Sequence, residues 1–170
     1  MVRFVFTAKL VYNPLVIKGD SNVVETRVIS LDKGSQLNKI VISYTDLKEV
    51  TPIVAGIVIH KENPTGYSFD SNAGYIAYAD STQNPRNNNG VIYVGAVFPA
   101  SLNAAKAQLF PEAERKEHGG ALGHVLGISD YEREPNMFTI GVPDGANMVL
   151  PPIPNGRNIW RILPNRYVTH

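Results

Sequence analysis

The chain has no cysteine, and that absence removes disulfides, thiolate metal sites and cysteine nucleophiles together. Charge is scarce as well: Asp, Glu, Lys and Arg make up 18% of the 170 residues, and sixteen basic against fifteen acidic side chains leave +1. Without a concentrated basic tract, binding to nucleic acid or to an anionic membrane surface has no electrostatic support. No stretch approaches the roughly 18 consecutive apolar residues of a membrane helix, and Lys9 interrupts the apolar N-terminus before a signal-peptide core can form. The chain therefore reads as soluble, with no compartment indicated. Phosphate loops, dinucleotide fingerprints and Gly-x-Ser-x-Gly elbows are also missing. What is present is a globular composition, 44% hydrophobic, long enough to bury roughly 70% of the unfolded surface as one domain, residues 1–170.

The first 98 residues read as strands. Phe4, Phe6, Ala8, Leu10 and Tyr12 share one parity between Arg3 and Tyr12, the pattern of a half-buried strand. β-rich runs follow from Val23 to Leu31 and from Lys39 to Tyr44, separated by Gly, Asn, Asp and Ser clusters that mark turns. Pro52 to His60 is almost continuously apolar and predicts a strand buried on both faces, with His60 as its boundary residue. A short aromatic run, Gly74 to Ala79, precedes a polar surface loop that ends in Asn89-Gly90, a tight-turn signal before another strong strand, Val91 to Phe98. The tyrosines Tyr67, Tyr75, Tyr78 and Tyr93 suit cross-strand packing.

After Phe98 the residues change to helix formers, Ala, Leu, Lys, Gln and Glu. The composition predicts a helix starting near Ala100, broken or kinked at Pro111, and a second from about Glu112 to Leu126 with Gly127 as its C-terminal cap. Gly119-Gly120 weakens it by roughly 1 kcal/mol per glycine. Beyond Asp130 three proline-rich segments read as irregular, and Ile159-Trp160-Arg161-Ile162-Leu163 reads as an apolar piece that docks on the core. The fold class predicted is α+β, a mixed or mainly antiparallel sheet packed against a long helix; the alternative is a mostly β sandwich with a helical insertion.

The stretch from Glu117 to Asp130 carries the chemistry. His124, Gly127 and Asp130 fall in the order His-x-x-Gly-x-x-Asp, which suits a helix that ends at glycine and turns an oxygen ligand back toward the last histidine. With Gly123 and Leu126 this segment resembles the metzincin zinc peptidases, whose helix reads His-Glu-x-x-His-x-x-Gly-x-x-His/Asp. The first histidine and the catalytic glutamate of that motif are replaced by Gly120 and Ala121. The resemblance implies a zinc-dependent peptidase acting on a peptide or protein, or a catalytically impaired relative, with His124 and Asp130 as metal ligands. His118 would be the third ligand and Glu117 the general base, provided that unwinding at Gly119-Gly120 swings His118 from its position about 240° around an ideal helix. The resemblance also implies a methionine turn, at Met148 or Met137. The other function class that fits is a non-catalytic structural, assembly or binding protein of β-rich fold. Whether the chain is an enzyme at all rests on the pair lost at Gly120 and Ala121, since zinc hydrolysis needs three ligands and a carboxylate base.

Overall fold

The computed structural model describes residues 5–35, 37–81, 91–98, 102–131 and the backbone of 136–141. It is built of two antiparallel sheets packed face to face, with strands β1 (Val5–Val11), β2 (Leu15–Ile17), β3 (Asp20–Asp32), β4 (Leu37–Thr45), β5 (Thr51–Ile59), β6 (Tyr67–Asp70), β7 (Tyr75–Ser81), β8 (Val91–Val97), β9 (Ala104–Leu109), β10 (Gly123–Tyr131) and β11 (Asn136–Gly141). The larger sheet runs β1-β3-β4-β11-β8-β7-β6, with β2 paired to β3, and the smaller runs β5-β10-β9.

Local chemistry places the strands where the alternation puts them. Asp70 accepts the backbone N–H groups of Asn72 and Ala73, at 2.9 and 3.0 Å, and so closes the turn between β6 and β7. β3 and β4 pair from Val24↔Thr45 to Ser30↔Lys39, which puts Glu25, Arg27 and Ile29 on the same face as Tyr44, Ile42 and Ile40. That face meets Ile53 and Ile59 of β5 and Val125 and Tyr131 of β10 across a core that also takes in Ile76, Tyr78, Ala96, Phe98 and Leu102. Burying one such side chain contributes about 1.5–3 kcal/mol, so this layer is what holds the sheets together.

The long helix predicted between Ala100 and Gly127 is absent, and with it the α+β class. Helical structure among the described residues is one 3-10 turn, Glu112–Glu114. The segment before it is β9, where Ala105 and Ala107 are half-buried and Lys106 and Gln108 exposed. The segment after it is β10, where Gly123, Val125, Gly127 and Tyr131 are buried and the even-numbered residues between are less so. Period-two burial against a sheet overrides the helix propensity of Ala, Leu and Lys. The chain reverses at Gly119 and Gly120, with φ of +66° and +83°, and a left-handed pair of that kind ends a helix rather than continuing one. The sandwich alternative fits, without its helical insertion. β5 differs from its expectation too, because Val54 and Val58 are exposed; β5 is an edge strand, not one buried on both faces. The Asn89-Gly90 turn, the segments after Gly141, and the apolar piece Ile159–Leu163 lie outside the described residues.

Candidate functional site

Among the described residues β5 lies at one edge of the small sheet, paired through β10 alone. The direction of its remaining backbone groups follows from the far side of β10. Phe110 N–H donates to Leu122 O at 2.8 Å, and the β10–β9 register continues as Gly123↔Leu109 and His124↔Gln108. Even-numbered residues of β10 thus turn their N–H and C=O toward β9, and odd-numbered ones toward β5. Opposite the odd set stand Ile53, Ala55, Ile57 and Ile59. The backbone groups of Val54, Gly56 and Val58 point off the sheet, and among the described residues none of them meets a backbone partner.

That free edge borders a cleft of about 430 Å³. β5 contributes six successive residues to it, Ile53 through Val58. The opposite wall is aliphatic, formed by Ile40 and Ile42 of β4, Ile76 of β7, and Val94 and Ala96 of β8, and Arg27 is the charged side chain among the described lining. The guanidinium is fixed in place. Its Nε donates to a carboxylate oxygen of buried Glu25, and its carbon sits 5.0 Å from the centre of the Tyr12 ring. The other Glu25 oxygen accepts the Tyr44 hydroxyl at 2.9 Å, and the Tyr44 ring meets Tyr131 edge to face at 5.1 Å. Burial, and then the bond to Glu25, push the Tyr44 phenol well above its ordinary value. Glu25 is therefore satisfied on both oxygens, and its role is to orient Arg27 at the cleft.

A second polar group closes the end of β5. His60 Nδ1 lies 2.9 Å from Asp80 Oδ1, and the Tyr78 hydroxyl accepts the His60 N–H at 3.0 Å while donating to Asn63 O at 3.1 Å. A carboxylate-oriented histidine is one half of a general-base arrangement. Asp80 is the imidazole's one side-chain hydrogen-bond partner among the described residues. The Tyr78 phenol is raised by desolvation, and its two bonds tie the 60–66 loop to β7. His60 ends its strand as expected.

The residues singled out around the zinc motif fall elsewhere. Glu117 and His118 are exposed, in the turn after the 3-10 segment; His118 stacks on Phe110 with ring centres 3.8 Å apart. His124 meets the same Phe110 ring edge to face at 5.2 Å. Asp130 accepts a hydrogen bond from the Asn103 side chain. His124 and Asp130 stand six residues apart on one strand, hence about 20 Å apart at 3.2–3.4 Å per residue, far beyond a shared ion. Met137 lies in β11, and Met148 lies outside the described residues. Gly127, read as a helix cap, instead gives room to a ring: a Cβ there would lie 2.9 Å from two carbons of Phe98.

A family model described as "Domain of unknown function (DUF4861)" matches residues 2–138. The chain belongs to that family. The match takes in β1 through β10 and the start of β11, and so includes the cleft and both its walls. No curated protein and no solved structure matches. The metzincin resemblance is overturned: the family is a different one, strand stands where that helix would lie, and among the described residues no three His, Asp or Glu side chains are grouped to hold a metal ion. The metallopeptidase reading goes with it. Among the described residues no helix is long and apolar enough to cross a membrane.

Sequence reasoning missed Glu25, Arg27 and Tyr44. Their alternation was visible, since Glu25 and Arg27 share the parity of Val23 and Ile29 in an otherwise apolar strand. A charged pair on the buried parity of a strand is the available signal.

Proposed function

We propose that the protein is a non-catalytic binding or assembly module that takes up an extended polypeptide segment along the edge of β5. The observation that carries this reading is the coincidence of three sets of backbone N–H and C=O groups, at Val54, Gly56 and Val58, that have no backbone partner among the described residues, with an aliphatic cleft of about 430 Å³ beside them. A strand added there gains main-chain hydrogen bonds from the edge and apolar contact from the wall, the two components of strand addition. Pro52 stands on the outward parity at the start of β5, and from Ile53 to Ile59 neither a charged residue nor a proline interrupts the edge. An assembly or binding role needs no catalytic constellation.

The test is a titration of a fluorescein-labelled probe peptide, acetyl-Lys-Thr-Val-Thr-Val-Thr-Lys-amide, against the full chain and against Val54→Pro. Proline at position 54 deletes an N–H that faces off the sheet, so the ladder to β10 is kept. Saturable binding by the parent that weakens at least about tenfold in Val54→Pro, a loss of about 1.4 kcal/mol, supports the reading. Equal binding by both, or none by either, sinks it.

A further inference from the structure

We propose that the strand taken up by β5 runs antiparallel to it and ends in a free carboxylate, which Arg27 receives at the Thr51 end of the edge. This rests on the strand-accepting reading of the cleft and adds the direction and the chemical ending of its ligand.

The two ends of β5 differ in what they offer. At the start, Thr51 pairs with Tyr131, whose hydroxyl accepts the Tyr44 N–H at 3.1 Å; the Tyr44 hydroxyl donates to Glu25, and Glu25 holds the Arg27 Nε. That relay sets the guanidinium at the Thr51 end of the cleft. At the finish, the His60 N–H is given to the Tyr78 hydroxyl, and the imidazole faces the Asp80 carboxylate at 2.9 Å. An incoming anion therefore finds its donors at the first end.

Arg27 is arranged to take a carboxylate there. Its Nε is spent on Glu25, but among the described residues its two Nη groups have no hydrogen-bond partner, and 42% of the side-chain surface is accessible. Glu25 and the Tyr12 ring fix the guanidinium, so a carboxylate that meets the outer fork orders little that is not already ordered. Because Glu25 offsets much of the charge, the attraction is carried by directed N–H groups rather than by net charge. The rest of the described cleft wall is aliphatic and competes for none of them. At the same end Lys18 Nζ donates to Val50 O at 2.7 Å, beside exposed Glu49.

Pro52 supplies the reason for a chain end. It stands on the outward parity without an N–H, so in an antiparallel ladder the residue facing it finds no donor for its carbonyl. The ladder is thus closed at Pro52 and, through Tyr78, at His60. A strand whose last residue faces Pro52 presents a carboxylate in place of that orphaned carbonyl, and the guanidinium supplies the donors that proline withholds. A strand added in the parallel sense would bring its ammonium end to Arg27, like charge against like.

Unlabelled competitors that displace the fluorescein-labelled probe from the full chain test this. Three are compared at one ionic strength: the probe sequence as its amide, the same sequence as the free acid, and the amide with succinyl in place of acetyl, which moves the carboxylate to the other end. The free acid should compete at least about tenfold more strongly than the amide, as a hydrogen bond to a charged group allows, and the succinyl peptide should gain nothing. The acid-to-amide ratio should fall toward one in Arg27→Gln and to an intermediate value in Arg27→Lys, which keeps the charge beside Glu25 without the fork. Equal competition by acid and amide, a succinyl gain that matches the free acid's, or a ratio that neither Arg27 variant changes would each overturn the inference while the strand-accepting reading stands. If the labelled probe itself does not bind, that reading has failed and this one with it.

Discussion

Gly127→Ala separates the strand from the helix at a single atom. In β10 the added Cβ would lie 2.9 Å from Cε2 and Cζ of Phe98 and 3.2 Å from Cδ1 of Leu102. Carbon pairs settle at about 3.5–4.0 Å, so the ring must retreat by roughly half an ångström or more. Phe98 and Leu102 are both buried, and neither can swing into water. Overpacking of this kind costs about 1–3 kcal/mol. Against it, alanine in a regular strand is favoured over glycine by roughly 0.5–1 kcal/mol, and Gly127 has no left-handed backbone that would cancel that gain. The net expectation is a loss of about 1–2 kcal/mol, or a melting temperature lower by roughly 2–8 °C for a chain of this size. Urea denaturation of the parent, Gly127→Ala, Phe98→Leu and the double variant would measure it as a cycle. The cost must shrink when Phe98 is already trimmed. A stabilising Gly127→Ala, or a cost indifferent to Phe98, would refute the packing of β10 against that ring.

Tyr44→Phe should destabilise the chain by about 1–3 kcal/mol at neutral pH, since it strips a hydrogen bond from buried Glu25. Because the folded phenol titrates above the unfolded value near 10.0, its stabilisation is complete below pH 10 and declines as the unfolded chain sheds its proton above it; the gap between parent and variant should therefore narrow from pH 9 to 11, and a widening gap would contradict the network. Val125→Ala, at a fully buried position, should cost about 2–3 kcal/mol, while Val58→Ala, on the outer face of the same sheet, should stay within about 0.5 kcal/mol; chemical denaturation of both checks the inside-outside parity of β5 and β10.

β1, β3, β4, β5 and β8 were legible as strands because their apolar and β-branched runs and flanking turn residues agree with the fold, whereas the short β2 and β6 and the aromatic β7 drew no strand expectation. Glu112 to Tyr131 was not, for two reasons. Glu, Lys, Ala and Leu favour helices locally, and the repeated small residues Ala121, Gly123 and Gly127 look like helix punctuation. In the sheet those residues hold the buried parity, where Gly123 sits against the backbone of Gln108 and Leu109 and Gly127 against Phe98. The period-two signal was present, but its buried members are too small to register as hydrophobic. The His-x-x-Gly-x-x-Asp spacing carried a helical meaning only as long as the segment was a helix; on a strand it spreads His124 and Asp130 along about 20 Å. The cleft was illegible for another reason, since an unpaired edge is a property of sheet order and not of any one strand. Pro52 to His60 reads equally well as a central strand or an edge strand with an apolar groove beside it.

Residue-resolved amide exchange on the full chain, with and without the probe peptide, tests the free edge most directly. The account predicts that Ile53, Ala55, Ile57 and Ile59 are protected throughout, and that Val54, Gly56 and Val58 exchange quickly alone and slow markedly when the peptide binds. Peptide binding that leaves those three amides fast, or protection of them in its absence, would contradict strand addition at β5.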